Sequence, residues 1–126
     1  MSKEHRGTLA ESFGYAFAGI GTCIREERNI KIHLTVTALV VLCGWYFKIS
    51  RIEWCICLAL FGLVLALELV NTAVESVVDL VTEERKPLAK KAKDTAAGAV
   101  LIAAICAAAA GLVIFVPRGL AWLRAL

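Results

Sequence analysis

Apolar positions along the chain fall into four stretches that differ in spacing. In residues 8–26, Leu9, Phe13, Phe17, Ile20 and Ile24 recur at steps of four, four, three and four, which puts them on one face of a helix. Glycines and charges interrupt the rest of that stretch, so the pattern predicts an amphipathic helix lying on the membrane surface. Residues 30–47 are apolar all round apart from Lys31 and His33 near their start, enough for a first span with His33 as an interfacial side chain. Residues 52–80 form a second, longer run, and residues 94–116 a third that is rich in alanine, with Gly98 and Gly111. Small residues at four-residue spacing, such as Ala99, Ala103 and Ala107, permit close helix contact in lipid. The expected fold is an all-α integral membrane protein, with three transmembrane helices plus an N-terminal amphipathic surface helix, in one domain covering residues 1–126.

The connections are read from what interrupts these runs. Glu26-Glu27-Arg28-Asn29 is a charged hinge, and Lys48-Ile-Ser-Arg51 a short turn next to the belt residues Trp45 and Tyr46. Pro87 cannot continue the helix before it and can open the next one. The last ten residues, with Pro117, Trp122 and Arg124, read as an interfacial end.

Composition agrees, since 60% of the 126 residues are apolar, above the roughly 45–50% of soluble domains. Met1-Ser-Lys-Glu-His-Arg has no apolar segment behind it, so a removable signal peptide is not expected and the first span directs insertion. Lys3, Arg6, Arg25, Arg28 and Lys31 precede that span, and Arg85, Lys86, Lys90, Lys91 and Lys93 lie between the second and third. The 48–52 turn carries only Lys48 and Arg51. The positive-inside rule therefore puts the N-terminus and the 82–93 loop in the cytoplasm. These basic residues flank spans and form no stripe with interleaved aromatics, which argues against nucleic acid as a partner. Cys23, Cys43, Cys55, Cys57 and Cys106 contain no C-x-x-C and read as small buried hydrophobes.

The candidate chemistry lies at the end of the second span. Helical steps of three, four and four place Glu68, Asn71, Glu75 and Asp79 within an arc of about 80°. A carboxylate on an otherwise apolar span costs about 2.5–3.5 kcal/mol at mid-bilayer, so the stripe is a functional-site hypothesis by default. At 1.5 Å per residue, Glu68 lies about 24 Å and Glu75 about 35 Å along from Ile52, against about 30 Å of hydrocarbon. Glu68 and Asn71 then sit at the inner lipid boundary, and Glu75 and Asp79 emerge into water. Carboxylates with open positions suit Mg²⁺ shared with substrate phosphates, and a nearby lysine such as Lys93, next to Asp94, neutralises phosphate charge. An acid at the lipid edge can take a proton from a membrane-embedded hydroxyl. Spacing leaves two other readings open: a proton relay in a small transporter subunit, and a polar network that only registers helices. Gly19-Ile-Gly21 is no nucleotide loop, because Ile24 stands where a third glycine is needed.

Glu68-Leu-x-Asn-Thr-Ala-x-Glu-x-x-x-Asp79, followed by Pro87-Leu-Ala-Lys-Lys-Ala-Lys93-Asp94-x-Ala-Ala-Gly-Ala-Val100-Leu, resembles the prokaryotic diacylglycerol kinase family. Glu27-Arg28-Asn29-x-x-Ile-His33 and Gly44-Trp45 extend the likeness over nearly the whole chain, nearest to the Gram-positive-type branch acting as undecaprenol kinase. The resemblance implies a homotrimer in the bacterial cytoplasmic membrane, with active sites completed between neighbouring protomers and facing the cytoplasm. It implies ATP as phosphate donor, a membrane lipid alcohol as acceptor and Mg²⁺ as cofactor. It makes Glu68 the general base and Glu27 with Glu75 the metal ligands. Tyr15, Glu27, Glu75, Glu84, Arg85, Lys86, Lys93 and Asp94 become ATP contacts, Asn71 and Asp79 further active-site residues, and Glu68 with Ala97 lipid contacts. Family members often have Tyr-His where Arg85-Lys86 stands, and Gram-negative diacylglycerol kinases a serine where Ala97 stands. The second departure points to undecaprenol as substrate, with diacylglycerol as the alternative.

Overall fold

The computed structural model describes residues 7–126, so Lys3 and Arg6 of the charge pattern, and the leader reading of the first six residues, lie outside the described residues. The chain forms α1 (Leu9–Glu26), α2 (Arg28–Phe47), α3 (Arg51–Val81) and α4 (Pro87–Arg124), and no strand among the described residues. The last three are long and apolar enough to cross a membrane.

Local chemistry sets most of the ends. Thr8 Oγ1 accepts the Glu11 N–H at 3.3 Å while Glu11 Oε2 accepts the Thr8 N–H at 3.0 Å, a reciprocal cap that starts α1. Ser50 and Glu53 repeat the device at the start of α3, at 3.2 and 3.0 Å. Pro87 opens α4, where its missing N–H costs nothing. The expected four-residue hinge is narrower: only Glu27 leaves helical geometry, closing α1 and opening α2 at once. The Lys31 ammonium reaches back 2.9 Å to the Arg25 carbonyl, so the elbow is held by a cation on a helix C-terminus and needs no longer linker. Pro117 does not end the last helix, and α4 runs on to Arg124.

Packing is dominated by α3 against α4, where Val64 of α3 and Val100, Ala103 and Ile114 of α4 are buried. Small residues on α4 let the two backbones approach, which matters in lipid, where burial against a neighbour gains little over burial against acyl chains. Ile49, Cys57 and Ile114 form a core at one end, with Phe47, Trp54, Phe61 and Phe115 around it. Elsewhere large apolar side chains face outward, among them Leu39 (58% exposed), Ile102 (67%) and Val113 (76%), as suits lipid or a further copy of the chain. All five cysteines are free, but only Cys23 and Cys57 are buried; Cys43, Cys55 and Cys106 lie on outward faces, because in a spanning helix an apolar residue needs no protein core.

Candidate active site

The stripe on α3 descends from burial to water. Glu68 is 3% exposed and Asn71 8%, Glu75 is half-buried, and Asp79 is exposed. Asn71 Nδ2 donates to Glu75 Oε1 at 3.2 Å, while Asn71 Oδ1 is buried with no hydrogen-bond partner among the described residues. A buried acceptor left open costs about 1–3 kcal/mol, so an orphan beside two carboxylates marks a place built for something else to occupy.

From α4, Lys93 Nζ stands 2.6 Å from Asp79 Oδ1, and Lys90 pairs with Asp94 one turn apart. Glu84 and Lys86 are 3.7 Å apart in the loop. These pairs are well exposed, and exposed ion pairs contribute about 0–1 kcal/mol, too little to explain such a concentration of charge by stability. They line a recess of about 680 Å³ that gathers Asp79, Glu84, Arg85, Lys86, Lys93 and Asp94 between the end of α3 and the start of α4. Four acids and four bases, with Glu83 and Lys90 among them, converge there from a chain whose spans are nearly free of charge.

At the buried end, His33 Nε2 lies 3.1 Å from Glu68 Oε1. The imidazole also lines an apolar cleft of about 300 Å³ between α2, α3 and α4, walled by Val36, Val64, Ala104, Ala107 and Gly111 among others. One helix face thus connects a cleft suited to an apolar molecule with a recess suited to an anion. Along α3 the two ends of the stripe are about 16 Å apart.

Other expected site residues are not drawn in. Tyr15 is 74% exposed on α1 and Ala97 is exposed on α4. Glu27 is half-buried at the elbow, and α1 meets α3 near the stripe at Cys23, whose Sγ lies 3.4 Å from Thr72 Oγ1. Among the described residues no three His, Cys, Asp or Glu side chains stand close enough to form a ready-made metal cage. The donors on the stripe are nonetheless hard oxygens, with the orphaned Asn71 Oδ1 among them. They fit a divalent cation held by one or two carboxylates together with phosphate oxygens.

Sequence reasoning set His33 at the interface and missed its contact with Glu68. The available signal was cost: an ionisable residue inside an apolar span calls for a partner, and His33 and Glu68 were two such residues near the same boundary.

A family model described as prokaryotic diacylglycerol kinase matches residues 14–115. The chain is 45% identical over 120 residues to an undecaprenol kinase from Bacillus subtilis, covering 93% of this chain and 98% of the relative. It is 42% identical over 110 residues to a diacylglycerol kinase from Synechocystis, covering 86% and 63%. It is 33% identical over 95 residues to a diacylglycerol kinase from Pseudomonas aeruginosa, covering 75% and 77%.

Proposed function

The chain belongs to the prokaryotic diacylglycerol kinase family and is a lipid kinase, and from that premise we propose that it transfers the γ-phosphate of ATP to the hydroxyl of a polyprenol, undecaprenol, at the cytoplasmic face of a bacterial membrane. The observation that carries this reading is one face of α3 on which Val64 borders an apolar cleft, Asp79 borders a charged recess, and Glu68, Asn71 and Glu75 lie between them. A lipid alcohol and a nucleotide differ in solubility, and a helix crossing the lipid boundary is where both can be met.

In this reading the triphosphate lies at the 82–94 end, where Arg85, Lys86 and Lys93 neutralise its charge and Glu84 and Asp94 help to place it. Asp79 orients Lys93, with which it is already paired at 2.6 Å. Glu27 and Glu75 would hold Mg²⁺, which would supply positive charge to the phosphate oxygens. Asn71 fixes the Glu75 carboxylate through its amide N–H and presents its open carbonyl oxygen to the same space. Glu68 takes the proton from the lipid hydroxyl as that oxygen attacks phosphorus, and Ala97 lies beside the lipid.

Tyr15 and Glu27 stand on or next to a helix whose apolar residues Leu9, Phe13 and Phe17 are uncovered. We place α1 in the membrane plane and the site between protomers of a homotrimer, so that these residues approach the nucleotide in the assembly. The polyprenol is favoured over diacylglycerol by Ala97 and by the 45% identity to the undecaprenol kinase. Diacylglycerol is the second reading, because the Synechocystis relative at 42% is named for it.

Purified protein given ATP, Mg²⁺ and each lipid in turn separates the two: turnover of undecaprenol is expected, and turnover of diacylglycerol with none of undecaprenol overturns the choice. Glu68→Gln is expected to cut kcat by about 10²–10⁴-fold while ATP binding persists.

A further inference from the structure

The polar contact between His33 and Glu68 has no part in the reaction as described so far. Glu68 is the more deeply placed of the two, its side chain 5% exposed against 25% for His33, and the imidazole forms part of the cleft wall. His33 therefore stands where an apolar molecule in the cleft meets the buried carboxylate. A hydrogen bond from Thr37 Oγ1 to the His33 carbonyl, at 2.7 Å, satisfies the threonine hydroxyl locally, so it does not compete for the imidazole. No lysine or arginine forms an ion pair with Glu68 among the described residues, although four basic side chains line the recess farther along α3.

The buried base thus has a neutral-capable donor beside it in place of a permanent cation. The chemical consequence is direct. A fixed positive charge at 3 Å would favour the ionised carboxylate and weaken its pull on a proton. An imidazole N–H can hold one oxygen in place at a smaller cost in basicity. The 3.1 Å contact lacks the alignment of a full hydrogen bond, in keeping with catalytic contacts that tighten only when substrate arrives.

We propose that His33 is a positioning residue for Glu68. Resting on the reading of Glu68 as general base, the inference is that the His33 Nε2–H holds Glu68 Oε1 and thereby turns Oε2 toward the lipid hydroxyl in the cleft. As the hydroxyl oxygen bonds to the γ-phosphorus, the bond from that phosphorus to the β-phosphate bridging oxygen breaks and ADP leaves. The hydroxyl proton passes to Oε2.

The test is steady-state kinetics of His33→Leu, His33→Gln and Glu68→Gln with undecaprenol, diacylglycerol, ATP and Mg²⁺ in detergent micelles. Gln can put an amide N–H where Nε2 stands, and Leu cannot. His33→Leu is expected to lower kcat by about tenfold to hundredfold, a fraction of what a general base supplies, with the KM for ATP unchanged. His33→Gln is expected to restore most of the loss. Should the leucine variant not fold, His33→Asn takes its place, since its shorter amide cannot reach Glu68, and Gln outperforming Asn supports the inference. Full kcat in His33→Leu, or an equal fall in the Gln variant and its non-donating partner, overturns it and leaves the role of Glu68 standing. Undiminished turnover in Glu68→Gln overturns the general-base reading itself, and the positioning role with it.

Discussion

Gly44 shows how much one missing side chain decides. A Cβ at this position would lie 2.8 Å from the Trp54 ring and 3.0 Å from Ile49 Cδ1, both in the packed end of the bundle. Its backbone is ordinary helix, so the need is for space and not for an unusual conformation. Gly44→Ala is therefore expected to destabilise by about 1–3 kcal/mol, the usual cost of overpacking. Gly62, with nothing within 4 Å of its Cβ position, is the control, where alanine is expected to gain up to about 1 kcal/mol. Thermal unfolding in detergent reads both signs. The sequence offered Gly44-Trp45 as part of a family likeness and gave no hint that Trp54, ten residues on and in another helix, fills the gap. The acid stripe was legible, because its members share one helix, whose fixed rotation per residue aligns them. The partners of its members were not.

At the scale of elements, the fate of Pro117 turns on another helix. Proline inside a helix removes one backbone hydrogen bond and costs about 3 kcal/mol in water. Here Arg118 follows it, and its guanidinium donates to the Ile114 carbonyl at 2.7 Å and to both carboxylate oxygens of Glu53, at 2.8 and 2.7 Å. Glu53 is also the reciprocal cap of α3, so one carboxylate fastens the start of α3 to the end of α4. Trp122 Nε1 adds a bond to the Tyr46 hydroxyl at 3.0 Å, bringing in the end of α2. Glu53→Ala is expected to lower the unfolding temperature in detergent and to raise amide exchange in residues 117–124. Turnover should survive, since Glu53 lies about 22 Å from Glu68 along α3. Loss of activity without loss of stability would contradict a purely structural clamp.

Over the whole molecule, what governs is the depth of the stripe. α3 is 31 residues, about 46 Å, while the hydrocarbon is about 30 Å thick, so roughly ten residues project from one or both faces. The burial gradient from Glu68 to Asp79 and the charged recess place the projecting part at the α3–α4 loop. In a background freed of native cysteines, Glu75→Cys in intact cells is expected to resist a membrane-impermeant maleimide until the membrane is opened, and Ser50→Cys to react at once. The reverse pattern would remove the cytoplasmic nucleotide from the reading of the site.

The sequence by itself determined the number of apolar spans, the ability of Pro87 to open a helix, and the alignment of Glu68, Asn71, Glu75 and Asp79. Each of these depends on neighbours a few residues apart, where helix geometry leaves little freedom. The tertiary structure alone decided that His33 meets Glu68, that Trp54 fills the space at Gly44, that Arg118 of α4 pairs with Glu53 of α3, and that Glu27 is the whole of the first hinge. Contacts between helices depend on the rotation and sliding of each about its axis. In spans that are apolar on every face, the hydrophobic pattern leaves that rotation undetermined, and only side-chain fit and the few polar groups that must find partners settle it.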